Sequence, residues 1–322
     1  MKAKISEKPK PKIKTETGEK DLKSKKTTVK TVAKKSVKPV KQSVDQIEIP
    51  ILFENDDLLI INKPAGLNVH PDGKHVEYTL VDWIMAKYPE IINVGEVMET
   101  EYQGQPVQIL RPGIVHRLDK ETTGVMAIAK TELAYGFLKK KFKEHKVKKT
   151  YRAFVYGHIK NDLGTVDAGI GRSVDDIRKW NAGRGARGDV RQAKTMYRVI
   201  NRFETDEIID TAYTLKQKNN TRKILSKNSP DANKSEFEKV TYVECYPQTG
   251  RTHQIRVHMR FINHPIVSDF LYADKKPKAL GFKRVALHAY KLELPLPNGG
   301  DVSVMAELPA DFKKVVKKYG LK

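Results

Sequence analysis

The chain has 322 residues, of which 61 are Lys or Arg and 39 are Asp or Glu, giving a net charge of +22. This length allows one large domain or two smaller ones, and no apolar run approaches the roughly 18 residues that would span a bilayer. The single cysteine, Cys245, excludes an intramolecular disulfide and is typical of a reducing, cytoplasmic compartment, while the charge favours nucleic acid as a partner.

Residues 1–44 form a lysine-rich segment with 15 lysines and 4 acidic residues, so they carry half of the net charge. The segment has no aromatic residue and cannot bury enough apolar surface to offset its ordering entropy, which predicts a disordered tail. Acidic residues and the lack of a compact apolar stretch argue against a presequence or signal peptide. A solubilising role and an RNA-tethering role both stay open for this tail, and residues 45–322 are predicted to form one folded domain.

The rest of the chain reads as many short strands with a few helices between them. Helices are predicted where apolar residues recur at helical spacing, at residues 79–88, 131–145, 252–262 and 311–319. Strands are predicted at residues 47–53, 58–62, 125–129, 151–156, 196–203, 208–215, 240–246 and 286–294. Because strands and helices do not alternate regularly, the pattern predicts an α+β fold around a mixed or antiparallel sheet.

Two basic segments interrupt this pattern. Residues 172–194 hold 7 basic and 3 acidic residues with three glycines, which predicts a mobile basic loop. Residues 216–239 have the same charge counts, and we predict a polar insertion in a hairpin that is disordered at its tip. No internal repeat is present.

The segment GIVHRLDKETTG, residues 113–124, places Asp119 in a tight loop before a strand, with His116 and Arg117 beside it. From the spacing alone, a turn in which the carboxylate caps the backbone is the simpler interpretation. The segment KTYRAFV places Tyr151 on the same strand face as Ala153 and Val155, and from the strand pattern alone an ordinary core tyrosine is the favoured interpretation.

The segment QTGRTHQIRVH, residues 248–258, combines a glycine loop with the start of a predicted helix. An arginine at a helix start opposes the helix dipole, so Arg251 is expected to have an anionic partner unless it is a solvated cation. Ile255 follows on the same helix face, four residues later. His253, His258 and His264 have no nearby thiolate or carboxylate set, so we predict no metal site.

These segments occur in an order that resembles the RluA-type RNA pseudouridine synthases. The resemblance rests on Asn62-Lys-Pro-Ala-Gly66 with His70-Pro71, then HRLDKETTG, KTYRA and TGRTHQIRVHM with His264-Pro265, and it spans about residues 47–296. It implies a pseudouridine synthase fold, with a long mixed, mainly antiparallel sheet, flanking helices and a central RNA-binding cleft. It also implies conversion of uridine in RNA to pseudouridine without a cofactor or a metal.

The resemblance further implies roles for individual residues. Asp119 would be the catalytic carboxylate, acting as a nucleophile at the anomeric carbon or as a base at the 2′ position. Arg251 would keep it ionised, and Tyr151 would stack on the flipped base and help to remove the carbon 5 proton. The expected substrate-binding residues are Arg117, His116, Ile255, Arg256 and, from the basic loop, Trp180. Two alternatives stay open: a structural hydrogen bond for His116 and a side chain folded onto the sheet for Trp180.

The sequence departs from the family at two points. Thr123 stands where many relatives have serine, which keeps a hydroxyl, and the lysine-rich tail stands where many relatives carry a small RNA-binding domain.

The motifs together predict a monomeric RNA pseudouridine synthase that acts on ribosomal or transfer RNA. The alternatives are a non-catalytic RNA-binding or ribosome-assembly protein of the same fold, and a nucleoside or base glycosylase, which would release free uracil. A retaining glycoside hydrolase is disfavoured, because it would need two carboxylates about 5 Å apart. DNA binding is disfavoured because no groove-reading helix is present.

Overall fold

The computed structural model describes residues 47–71, 77–102, 105–206, 208–209, 237–274, 276 and 278–321. The predicted tail and most of the predicted insertion, like residues 210–215 of one predicted strand, lie outside these residues. The helices are α1 (Leu80–Lys87), α2 (Glu132–Lys143), α3 (Gln254–Phe261) and α4 (Ala310–Lys318). The strands are β1 (Ile51–Glu54), β2 (Leu58–Lys63), β3 (Val97–Tyr102), β4 (Gln105–Leu110), β5 (Thr123–Ala129), β6 (Lys148–Tyr156), β7 (Leu163–Asp167), β8 (Ile170–Arg172), β9 (Trp180–Ala182), β10 (Arg187–Arg191), β11 (Lys194–Thr205), β12 (Ile208–Ile209), β13 (Glu238–Pro247), β14 (Lys278–Ala279), β15 (Leu287–Pro295) and β16 (Asp301–Met305).

A nine-stranded sheet forms the centre of the described fold. Its strands follow the order β1-β2-β5-β15-β6-β13-β11-β7, and β16 pairs with the C-terminal part of β15. The β5–β15 pair is parallel and the other pairs are antiparallel, so the prediction of an α+β fold with a mixed, mainly antiparallel sheet is confirmed.

Both faces of the sheet are buried around β2 and β5. Along β2, Leu59 and Ile61 belong to the apolar cluster of α1, while Leu58 and Ile60 belong to the cluster of α2. Since successive strand residues point to opposite faces, a strand covered on both sides must be apolar throughout, which explains the run LLII. The other half of the sheet packs with α3 and α4 in one cluster around Phe154.

Capping residues set the starts of two predicted helices. Thr79 accepts a hydrogen bond from the backbone of Asp82, whose carboxylate bonds back to the backbone of Thr79, a capping box that starts α1. The side chain of Thr131 caps α2 by accepting a hydrogen bond from the backbone N–H of Ala134.

The prediction of a mobile loop at residues 172–194 is wrong for most of this segment. The strands β8, β9 and β10 form a three-stranded antiparallel sheet in the order β10-β8-β9. Ile170 and Ala182 are buried in its small apolar cluster beside α3. Strands of three to five residues rich in Gly, Arg and Asp carry too little alternation for the sequence pattern to reveal them.

The predicted insertion connects two strands that pair with each other. β11 and β13 are antiparallel neighbours from Thr195 opposite Pro247 to Thr205 opposite Glu238. β11 and β13 are therefore paired as the two strands of a hairpin would be, and the predicted insertion between them stays a prediction, since most of it lies outside the described residues.

Candidate active site

A cleft of about 580 Å³ opens between the loop that precedes β5, the end of α2, the start of β6 and the loop that precedes α3. Most of the predicted site residues line it, although they come from segments more than 130 positions apart in the chain. Those that line the cleft are His116, Arg117, Asp119, Tyr151, Arg251, Ile255 and Arg256. Lys143 and Lys149 add two further cationic side chains to its walls.

The loop that carries Asp119 turns tightly and enters β5 beside another strand. The amide of Thr122 donates to the carbonyl of Asp119 at 3.1 Å, which closes the turn. Gly124 has φ +116°, and a Cβ at this position would lie 2.1 Å from the carbonyl oxygen of Ala289 on β15. Only glycine permits both this backbone conformation and the close approach of the strands.

Two buried cations hold the backbone directly after Asp119. The Nζ atom of Lys63 donates to the carbonyl of Lys120 at 3.0 Å and to two further carbonyls. The guanidinium of Arg284 donates to the carbonyl of Glu121 at 3.1 Å. Burial lowers the pKa of Lys63 to about 7, yet three carbonyl acceptors match the three N–H groups of the charged ammonium. These contacts fix the direction in which Asp119 enters the cleft.

Thr123 keeps the function that a hydroxyl can have at this position. Its Oγ1 lies 2.9 Å from Nδ1 of the fully buried His288, whose Nε2 lies 3.3 Å from the carbonyl of Ala306. With Nε2–H donating to that carbonyl, Nδ1 accepts the threonine hydroxyl proton. A serine hydroxyl would serve equally, so the departure from the family pattern is conservative.

Arg256 is the cation that pairs with Asp119. Its Nη1 donates to Oδ2 of Asp119 at 3.0 Å, and its Nε and Nη2 donate to the buried carboxylate of Asp269 at 2.7 and 2.8 Å. The aromatic ring of Tyr272 supports the guanidinium, with its centroid 5.0 Å away. The carboxylate of Asp119 therefore bonds across the cleft to Arg256, which contradicts the simpler interpretation that it caps its own turn.

The predicted pairing of Asp119 with Arg251 is wrong. Helix α3 begins at Gln254, two residues later than predicted, so Arg251 lies in the preceding loop, where its Nε donates to the carbonyl of Gln192 at 3.1 Å. Arg256 is the arginine in the first helical turn, and its two carboxylate partners satisfy the requirement set by the helix dipole. Arg251 nevertheless remains on the cleft wall.

Asp119 is ionised at neutral pH. Burial by itself would raise the pKa of its carboxyl, but His253, Arg256 and Arg117 outweigh burial and hold the pKa below its ordinary value. Burial also lowers the pKa of His253, so this ring is neutral at pH 7 and its share of the effect on Asp119 is small. The guanidinium of Arg256 is the lasting positive charge beside Asp119.

Tyr151 and Ile255 face the cleft as predicted. Burial, followed by the negative charge of Asp119, raises the pKa of the Tyr151 hydroxyl, so the phenol is protonated at neutral pH. The phenol can accept a proton only if it gives its own hydroxyl proton to another group. Asp119 is the carboxylate close enough to affect the ionisation of the phenol. Ile255 is 6% exposed and joins the apolar cluster under β6.

His116 and Arg117 occupy different surroundings. The Nε2 of His116 accepts from the amide of Ala127 at 2.9 Å, and its ring stacks on Phe142. Burial lowers the pKa of His116 to about 3, so the structure favours the structural hydrogen bond over a charged RNA contact. Arg117 is exposed and donates to Nε2 of His70 at 2.9 Å, which holds the guanidinium at the mouth of the cleft.

Trp180 lies in β9, outside the lining of the catalytic cleft and half-buried, so its predicted contact with RNA stays a prediction. The guanidinium of Arg172 lies 4.3 Å from its ring centroid, and its backbone N–H donates to the hydroxyl of Tyr272. The side chain packs with the small cluster of the three-stranded sheet. This is the folded-down position that the sequence left as the alternative.

Three residues that the sequence reasoning missed complete the site. The carboxylate of Asp269 forms an ion pair with the guanidinium of Arg256, and Tyr272 contacts both Arg256 and His253. Gln254 accepts from the backbone of Arg251 and donates to the carbonyl of Lys194, which shapes the loop before α3. For Gln254 the sequence offered one signal, a polar residue close to the predicted site residue Arg251. Asp269 and Tyr272 lie in a turn whose sequence has no recognisable pattern.

The three histidines considered as metal ligands have separate protein partners. His253 bonds to Tyr272, His258 to Thr195 and the carbonyl of Ala168, and His264 to the carbonyl of Tyr156. Within the described residues no group of three or more His, Cys, Asp or Glu side chains converges as a metal site would require. In the same part of the chain, no helix is both long and apolar enough to cross a membrane.

A cleft with cationic walls, one ionised carboxylate and a paired arginine is suited to an enzyme that acts on a polyanion. Comparison with known proteins agrees: residues 57–261 match the model of the RNA pseudouridylate synthase family. An uncharacterized RNA pseudouridine synthase of Synechocystis is 35% identical over 86% of this chain and 71% of its own length. Ribosomal large subunit pseudouridine synthase D of Zymomonas mobilis is 32% identical over 87% of this chain and 75% of its own.

Solved structures extend the likeness to the fold. Human RNA pseudouridylate synthase domain containing 4 has a TM-score of 0.55 at 25% identity and covers 85% of this chain and 94% of its own. The chain belongs to the RNA pseudouridine synthase family. It is an isomerase that converts uridine in RNA to pseudouridine, and the resemblance seen in the sequence motifs is confirmed.

Proposed function

We propose that this protein isomerises specific uridines of large-subunit ribosomal RNA, as a monomer in the cytoplasm. The observation that carries the catalytic part is the Asp119–Arg256 ion pair at the base of a basic cleft. The relatives named ribosomal large subunit pseudouridine synthase D support the choice of RNA, and the buried, unpaired Cys245 fits a reducing compartment.

The chemistry requires one carboxylate and no group that is oxidised or reduced. The bond from C1′ to N1 breaks, the base rotates, C5 bonds to C1′, and the C5 proton leaves while N1 gains a proton. Asp119 acts at C1′ as a nucleophile or at C2′ as a base, and both routes need the ionised carboxylate that Arg256 maintains. Tyr151 stacks on the base, and its hydroxyl relays the C5 proton.

The target nucleotide must leave its stack to reach Asp119. Extruding a base costs a few kcal/mol and is easiest in loops. Arg117 at the mouth of the cleft is placed to fill the vacated position, and Ile255 supplies an apolar contact beside the base. Lys143, Lys149 and Arg251 on the walls are available for flanking phosphates.

The test is to incubate the purified protein with transcribed ribosomal RNA and map pseudouridine at single-nucleotide resolution, alongside RNA from a deletion strain. Wild type should form pseudouridine at the sites that the deletion strain loses. Asp119→Asn should bind the RNA and form none, since an amide is neither a nucleophile nor a base. Free uracil in the product would instead indicate a glycosylase, and unchanged RNA in both assays would indicate the non-catalytic alternative.

A further inference from the structure

His253 has a left-handed backbone conformation, which is uncommon for any residue other than glycine. It precedes α3 with φ 55° and ψ 21°, in the left-handed region, and its side chain does not cap the helix. Such a conformation costs a residue other than glycine about 1 kcal/mol, and glycine or asparagine would adopt it more readily. Strain of this kind concentrates at functional sites, which directs attention to what the imidazole does.

The ring of His253 is held by two partners outside the catalytic pair. Its Nδ1 lies 2.8 Å from the hydroxyl oxygen of Tyr272, and that oxygen accepts the backbone N–H of Trp180 at 3.0 Å. The hydroxyl proton of Tyr272 then donates to Nδ1, which leaves the ring proton on Nε2. Burial keeps the ring neutral, so Nε2 presents an uncharged N–H to the cleft.

That N–H faces the catalytic carboxylate across a gap. Nε2 lies 4.0 Å from Oδ2 of Asp119, too far for a direct hydrogen bond but a suitable distance for one oxygen atom to bond to both. The bridging group must accept a hydrogen bond from Nε2–H and donate one to the carboxylate. A hydroxyl meets both conditions, whereas a phosphate or carbonyl oxygen has no proton to give and would face the negative charge of Asp119.

We propose that His253 and Asp119 together hold the 2′-hydroxyl of the target nucleotide, so that His253 selects ribose over deoxyribose at the modified position. Within an RNA chain the 3′ and 5′ oxygens are esterified, so the 2′-hydroxyl is the free hydroxyl of the sugar. It also neighbours the carbon at which the carboxylate acts, by either route. His253 is thus a specificity-determining and positioning residue, and this role rests on the proposed function.

The test crosses a change in the protein with a change in the substrate. One RNA carries uridine at the target position and a second carries 2′-deoxyuridine there, and each is assayed under single-turnover conditions. His253→Asn removes the ring while tolerating the left-handed backbone, and His253→Gly is the second variant if the first folds poorly. Tyr272→Phe keeps the ring beneath Arg256 but removes the hydroxyl that orients His253.

Wild type should prefer uridine over deoxyuridine by at least about a hundredfold, since a site built to bond a hydroxyl rejects an analogue without one. His253→Asn should lose about tenfold or more on uridine and nothing further on deoxyuridine, so the preference shrinks. Tyr272→Phe should lose part of the same preference. Where deoxyuridine turnover falls below detection, the ratio is read from the affinities for the two RNAs.

An equal loss on both substrates would overturn the proposal, because the ring would then act on the fold or on the base. An unchanged preference in His253→Asn would also overturn it and would indicate that a water molecule fills the gap. Both outcomes leave pseudouridine formation by wild type intact. Failure of the proposed function itself would appear as no pseudouridine from wild type on the uridine RNA.

Discussion

Replacing Arg256 with methionine should move the acid limb of the pH–rate profile to higher pH. The substitution removes the cation whose Nη1 lies 3.0 Å from Oδ2 of Asp119. At an effective dielectric constant of ~20, the attraction over that distance is about 5 kcal/mol, and opposite charges this close lower a carboxyl pKa by about 1–3 units. Asp119 reacts as the carboxylate, and in wild type Arg256 lowers the pKa of this carboxyl. Without Arg256, the carboxyl should be protonated, and activity lost, at a pH about 1–3 units higher than in wild type.

The same substitution should destabilise the fold, because Asp269 would keep a buried charge without its cation. Breaking a buried pair from one side costs about 3–5 kcal/mol. The double variant Arg256→Met with Asp269→Asn should recover part of that loss, while the acid limb stays shifted because Asp119 still lacks a cation. Thermal unfolding of both variants separates stability from catalysis.

Arg251→Met is the matched control for this experiment. Arg251 lines the same cleft but donates to the backbone of Gln192, so its removal should lower RNA affinity without shifting the acid limb. The measurement is single-turnover pseudouridine formation at saturating enzyme from about pH 4 to 9. An unshifted limb in Arg256→Met, or an equal shift in Arg251→Met, would refute the assignment of Arg256 as the partner of Asp119.

Three further outcomes are expected. Tyr151→Phe should bind uridine-containing RNA normally and form little pseudouridine in a single-turnover assay, whereas wild-type rates would reduce Tyr151 to a stacking residue. Lys63→Met should leave the carbonyls of Pro64 and Leu67 without the Nζ donor, whereas the carbonyl of Lys120 keeps the N–H of Gly66. Denaturant titration should then show an unfolding free energy lower by at least about 2 kcal/mol, at about 1 kcal/mol or more for each unpaired carbonyl; a loss below about 1 kcal/mol would contradict the buried anchor. Deleting residues 1–44 should preserve saturating turnover and, if about five tail lysines contact phosphates, flatten the plot of log affinity against log salt by about 3–4 units; equal slopes would establish the solubilising role.

The sequence predicted those parts of the fold whose signals are local. The starts of α1 and α2 follow from Thr79 and Thr131, threonine caps that bond within three residues. The apolar run of β2 identified a strand because both of its faces are buried. The motif residues Asp119 and Tyr151 were placed in one cleft because four ordered motifs indicated a known family, and the spacing of residues within each motif could not have done so.

The parts that failed depend on contacts between distant segments. Asp269 is recognised as part of the site only when α3 places Arg256 between it and Asp119, which lies 150 positions earlier in the chain. The three-stranded sheet forms because its few apolar residues pack on α3, including Ala182 with Val257. Neither arrangement has a periodicity or a turn signature that a single sequence displays.

The choice between two arginines shows where a correct physical rule still needs the structure. The rule that an arginine in the first turn of a helix requires an anion predicted an anionic partner, and the family resemblance implied that this partner is the catalytic carboxylate. Applying it required the first residue of α3, and that boundary is set by the left-handed conformation of His253, which histidine does not signal. Because α3 starts directly after His253, Arg251 lies outside the helix and Arg256 lies in its first turn, next to Asp119. The ring of His253 itself lies 4.0 Å from the carboxylate of Asp119. The strained residue therefore positions both the charge partner of Asp119 and the N–H group proposed to select its substrate.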